Sequence, residues 1–267
     1  MKNKSLLTFS LLLINQNFLF SQDIIGVKDI IGEAFIYGDI SPNVAKTQAL
    51  NEAKIEALKR AGIGENINSY QLLLSSQQKN EYSQFFSSSI ESEIQGAVQS
   101  YQIKSEKTYC KSENEIVYEI HIDAEVVKYD LKPDITFDAN IEGIKGVYNN
   151  DESLKFSLKT TQACFLTIFD ITDKDAFVLY PNDYEKQFKF DSSVSYNFPI
   201  SNIEYTLHTD LKERETNQLI FVFTKTQFPF IKMNKDQITT SDIIFNWIYS
   251  ISPDQRTTEY FTLTIHK

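Results

Sequence analysis

His121 lies two residues from Glu119 and two from Asp123, so the three side chains share one face of a strand. Such a row could ligate a cation, but a metal site takes about four ligands that converge. His208 and His266 sit on the polar side of other alternating stretches, far from His121 in sequence. A solvated strand face is the reading these histidines support. Cys164 falls in the most apolar run of the chain, where a thiol loses acidity and reactivity. No Ser stands in a G-x-S-x-G elbow, and no Gly-rich phosphate loop is present.

Carboxylates gather between residues 170 and 185: Asp170, Asp173, Asp175, Asp183 and Glu185. A calcium loop needs regularly spaced oxygens, a Gly turn and a terminal Glu, and this run lacks that pattern. The same region holds the most distinctive stretch, "DAFVLYPNDYEKQF". Tyr180 ends an apolar run; Pro181 fixes φ and cannot donate to a ladder, and Asn182 suits a turn. Strand-end chemistry accounts for each residue, with Tyr180 expected half-buried and its hydroxyl wet. If the hairpin binds anything, Tyr180, Asn182, Tyr184 and Phe188 are the candidate contacts, because aromatics dominate interface energetics. No catalytic residue, metal site or cofactor is assigned.

The elements that position these residues divide at Asp130–Asp134. Residues 31 to 37 read as a strand. Ser41-Pro42 is a helix start, with Ser as N-cap and Pro at the first helical position. The helix runs to Ala61 and stops at Gly62 and Gly64. Ala45, Ala49, Ala53, Ala57 and Ala61 form a stripe that lets it lie close to a sheet. The alternative use of that stripe is a dimer face. Lys46, Glu52, Lys54, Glu56, Lys59 and Arg60 are assigned to solvent. A second helix is predicted over 79–94, ending before Gly96.

From Gly96 the pattern is a strand, a polar excursion, then strict alternation. Ile116, Tyr118, Ile120, Ile122, Ala124 and Val126 point inward; Glu119, His121, Asp123 and Glu125 point outward. Beyond the boundary, strands follow one another: 154–158, 163–171, 176–180, 203–207 and 219–223. Turn-rich segments separate them, as in a β-sandwich. Ile244, Trp247, Ile248 and Ile251 mark a last helix from Ser241, ended by Pro253. Phe261, Leu263 and Ile265 close with a strand. The fold class is α+β: a small domain over 22–130 with an Ala-striped helix on an antiparallel sheet, then a mainly antiparallel β-sandwich over 131–267 with a C-terminal helix.

Residues 1–21 have the order of an export signal: Lys2 and Lys4, an apolar heart from Leu6 to Ile14, then Phe18-Leu19-Phe20 before Ser21-Gln22. Asn15, Gln16 and Asn17 interrupt the stretch, which argues against a membrane anchor. No Cys stands near the cleavage point to carry a lipid. The formal net charge is −10, and loss of Lys2 and Lys4 with the leader makes it more negative. An acidic chain is a poor match for nucleic acid or for anionic lipid. An apolar content of 42% with 23% charged residues is globular. Phe and Tyr are abundant at 20 and 14, and Gly is scarce at 8, a composition that favours strands. Cys110 and Cys164 fall in different domains and read as buried or semi-buried free thiols.

The ordered set Cys164–Phe169, Thr172–Asp175, Leu179–Asn182 and Pro199 resembles a bacterial family, the domain of unknown function numbered 4384. The resemblance spans roughly residues 148 to 228 and implies a module appended to envelope or signalling proteins, with no established activity. "GEAFIYGDISPNVAKTQALNEAKIEALKRAGI", "GAVQSYQI" and "YEIHIDAEV" are similar to the first domain of flagellar assembly protein T and related envelope lipoproteins. That similarity implies a small α+β domain involved in binding. Gln95 stands where those proteins often carry a small residue, and flagellar function is not implied. Together these readings predict an exported, non-enzymatic envelope protein that binds another envelope protein, with periplasmic or outer-envelope placement. The alternatives are a small-ligand or glycan binder using Tyr180 to Glu185, and a hydrolase with paired carboxylates.

Overall fold

The computed structural model describes residues 23–37, 40–63, 96–112, 115–172, 176–209, 213–230 and 240–267. The expected leader over 1–21, the turn at Gly38-Asp39, the helix over 79–94, and Asp173 and Asp175 lie outside them.

Strand β1 (Asp23–Ile36) begins well before the expected Ile31. Helix α1 (Pro42–Arg60) follows, and the Ser41 hydroxyl accepts the Val44 N–H at 3.3 Å, as an N-cap should. At the other end Gly62 takes φ 77°, and the N–H groups of Gly62 and Ile63 bond back to the Lys59 and Leu58 carbonyls. Ala45, Ala49, Ala53 and Ala57 are fully buried. Lys54 departs from the expected solvent face: it is 8% exposed, and its ammonium lies 5.0 Å from the Tyr101 ring centre.

Strands β2 (Gly96–Ser112) and β3 (Glu115–Lys128) complete an antiparallel sheet in the order β1-β3-β2. The residues read as a polar excursion are the continuation of β2, which pairs with β3 to its end through three register shifts. Their lack of alternation has a physical cause: β2 is an edge strand whose side chains are exposed on both faces beyond Val98. Bulges together with Lys104, Lys107 and Lys111 blunt that edge against further pairing. Cys110 is accordingly exposed, not buried or semi-buried, while Cys164 is buried.

The remaining strands are β4 (Ala139–Glu142), β5 (Val147–Asn149), β6 (Ser153–Leu154), β7 (Phe156–Thr160), β8 (Phe165–Ile171), β9 (Ala176–Tyr180), β10 (Ser195–Phe198), β11 (Tyr205–Thr206), β12 (Arg214–Thr224) and β13 (Arg256–His266). Helix α2 (Ser241–Ser250) precedes β13. The main sheet runs β5-β13-β12-β8-β9, antiparallel except for the β13–β5 pair. Facing it are β10-β7-β4 and the short β11-β6 pair. Leu166 and Ile168 of β8, Phe221 and Phe223 of β12, and Leu263 of β13 meet Leu154, Phe156, Phe198 and Tyr205 in one core.

The main sheet is buried on its other face too. Phe169, Ile171, Ile220 and Val222 join a second cluster with Ile244, Phe245 and Ile248 of α2. That cluster continues to Val98, Ile122 and the alanines of α1. Burial on both faces explains why β8 and β12 read as continuous apolar runs. Two bonds hold the end of α2: Tyr129 donates to the Ser250 carbonyl, and Arg256 donates to that of Ile251 with its guanidinium 5.0 Å from the Tyr249 ring centre.

Candidate functional site, a knotted hairpin end

Strand β9 delivers Tyr180 to the sandwich core, and the chain then turns through a cis Tyr180–Pro181 peptide. The side-chain oxygen of Asn182 accepts the N–H groups of Tyr184 and Glu185, both at 2.9 Å, and its amide donates to the Leu179 carbonyl at 2.9 Å. The backbone closes the loop with Asn182 N–H on the Glu185 carbonyl at 3.0 Å. This is the turn chemistry the sequence predicts for Asn182.

Its product is the placement of Glu185, which is 3% exposed. One carboxylate oxygen accepts the N–H of Ile200 at 2.5 Å and of Ser201 at 2.8 Å. The other accepts the Tyr205 hydroxyl. The Ser201 hydroxyl donates to the Tyr184 carbonyl at 3.2 Å. One carboxylate therefore ties three segments together, just beyond a second cis peptide at Phe198–Pro199. Burial, and then the bond to Glu185, hold the Tyr205 hydroxyl far above the usual phenol range.

Tyr180 corrects an expectation. It is fully buried, and its hydroxyl donates to the Lys186 carbonyl at 3.2 Å instead of meeting water. Burial pushes its pKa up to about 12. Its ring stands edge-on to Phe198, with centroids 5.4 Å apart, and to Phe190 at 6.2 Å. Phe188 is partly buried and packs on Phe190 and Tyr196. Of the four candidate contacts, Tyr184 alone is well exposed, at 76%, next to the exposed Asp183. Beside it Pro181, Asn182, Lys186 and Gln187, with Pro229 and Phe230, line a hollow of about 500 Å³. A broader hollow of about 650 Å³ lies by Phe198 and Pro199.

The carboxylates gathered in sequence are separated in space. Glu185 belongs to the knot, and Asp183 lies 4.0 Å from the Lys186 ammonium. Asp170 faces Asn217 of β12, whose amide donates to it at 3.1 Å. Burial pushes the Asp170 carboxyl up to about 7. On β3, Glu119 is claimed by Lys107 at 2.8 Å and His121 at 2.6 Å, which hold it below its usual range. Asp123 accepts the Asp29 N–H at 3.0 Å. His208 pairs with Asp151 at 2.7 Å, away from both. Among the described residues no group of three His, Cys, Asp or Glu is placed to hold a metal ion. Burial raises the Cys164 thiol to about 11.

Sequence reasoning placed Glu185 in the hairpin but missed its role as the centre of the knot. Its donors lie 15 to 20 residues downstream, and nothing local marks them. No curated protein matches the chain. Residues 147–226, the span that holds the knot and both cis prolines, match the family described as "Domain of unknown function (DUF4384)".

Proposed function

We propose that the protein is an exported, non-enzymatic cell-envelope component that works as a protein-binding adaptor. In this reading a leader over 1–21 precedes an α+β module over 22–130 and a sandwich module over 131–267. The single observation that carries it is how the conspicuous side chains are used. Glu185, Tyr180 and Asn182 are consumed in holding the hairpin rigid, and Tyr184 is left projecting from it. A rigid turn bearing an exposed aromatic loses little entropy on docking. No helix among the described residues is long and apolar enough to cross a membrane. Capture from envelope extract tests it: the wild-type chain retains a partner that Tyr184→Ser releases. Equal capture by both, or none by either, refutes the use of this hairpin.

A second reading is a small-ligand or glycan binder, supported by the hollow of about 500 Å³ with Asn182, Lys186 and Gln187 on its wall. Cell-wall fragments that raise the melting temperature of the wild type but not of Lys186→Ala favour it.

A further inference from the structure

We propose that Asp170 and Asn217 form a proton-operated lock at one end of the main sheet, closed when the Asp170 carboxyl is neutral and opened when it ionises. Asp170 lies opposite Leu219 on β12 and opposite Phe177 on β9, so it bridges the centre of the sheet and its edge. By alternation it shares the face of Leu166 and Ile168, the core side of the sandwich. Asn217 shares that face with Leu219 and Phe221.

Two oxygens there have neither solvent nor a partner: Oδ1 of Asp170 and Oδ1 of Asn217. The carboxyl accepts one bond, from the Asn217 amide at 3.1 Å. Asp170 is half-buried, and an ionised carboxylate with one oxygen cut off from water and a single neutral donor is costly. A neutral carboxyl is not: it carries no charge, and its O–H supplies the donor this cluster of acceptors lacks. Glu185 gives the contrast, a buried carboxylate met by backbone N–H groups and a hydroxyl.

The surrounding charges favour the same state. Glu215, two residues before Asn217 on β12, opposes ionisation of Asp170. Within β9 the one ionisable side chain is Tyr180, at the far end of the strand. The neighbouring β13 offers Leu263 and Ile265 to this core, and the opposite layer offers Leu154 and Leu207. The His208–Asp151 pair of that layer is exposed. Burial accordingly raises the carboxyl to about 7. The folded chain keeps this proton to higher pH than the unfolded chain. The resulting stability is full below the ordinary carboxyl range and is lost as pH rises through about 7. What loosens is the end of the main sheet where β8 meets β12 and, through the Asp170–Phe177 pairing, the edge strand β9 that leads into the Tyr180–Glu185 hairpin, so the mobility of that edge becomes linked to pH.

The test compares wild type with Asp170→Asn and Glu215→Gln between about pH 5 and pH 9. The wild-type melting temperature should fall by about 5–10 °C relative to Asp170→Asn across that interval, and the protection of the residue 176–178 amides, taken against Asp170→Asn at each pH, should fall in step. Glu215→Gln should move the transition to lower pH. Parallel profiles for wild type and Asp170→Asn would overturn the proposal. Should Asp170→Asn fail to fold, the carboxyl carbon resonance of Asp170 in the wild type decides: titration near neutrality supports the lock, and titration in the ordinary carboxyl range sinks it.

Discussion

The helix-on-sheet layer at the start of the chain and the sandwich at its end are held together by opposite means. In the first, main chain approaches main chain. Gly32 of β1 sits under α1 so closely that a Cβ there would come within 1.9 Å of the Ala49 carbonyl oxygen and 2.6 Å of the Ala53 nitrogen. The alanine stripe exists to permit that approach. In the sandwich, large rings fill the space between the sheets: Phe156 stacks on Phe198 with centroids 4.9 Å apart and meets Phe221 edge-on at 5.2 Å. A buried carboxylate then fixes the loops at one end. The first layer is therefore sensitive to added volume, and the second to lost volume and lost bonds.

The largest effect should come from breaking the knot. Glu185→Ala leaves the Ile200 and Ser201 N–H groups and the Tyr205 hydroxyl without their acceptor and should cost about 3–5 kcal/mol in denaturant unfolding. A loss below about 1 kcal/mol would mean that the sandwich rests on its rings alone.

Next comes Gly32→Ala, which adds one carbon where backbone leaves no room. It should destabilise by about 1–3 kcal/mol and shift the amide signals of α1. Should α1 rise off the sheet at no cost, the contrast between the layers fails. Ser41→Ala removes the helix cap and should cost about 1 kcal/mol, read from the same unfolding curves.

The smallest effect concerns the segment that joins the layers. Asp134 is held well below the usual carboxyl range, first by the Lys225 ammonium and then by Thr136 and Gln162. Its folded pKa is depressed, so its contribution is present above the ordinary carboxyl range and disappears as pH falls below it. Wild type and Asp134→Asn should differ in melting temperature at neutral pH and converge in acid. A constant difference at every pH would show that the pair is not the source.

Legibility in the sequence followed range. Helix α1 was legible from cap to stop, because Ser41, Pro42 and Gly62 act on neighbours within four residues. The turn at Asn182 was legible for the same reason. Strand β2 was legible only at its start: beyond Val98 both faces are exposed and there is no hydrophobic period, so the later residues look like a loop until β3 pairs with them. Tyr180 was placed in the right strand but at the wrong depth. The rings that cover it, Phe190 and Phe198, arrive from 10 and 18 residues later.

By itself the sequence determined the type of those elements that carry a clear period or cap, the fold class, the alanine face and the turn after Tyr180, since propensity, periodicity and capping are local properties of the chain. Tertiary structure alone decided which carboxylates are partnered. Glu185 and Asp170 are acids of one hairpin region in the sequence. One meets three donors from distant segments besides the neighbouring Asn182 amide, and the other meets a single amide, because the number of donors around such a group depends on which distant segments fold over it.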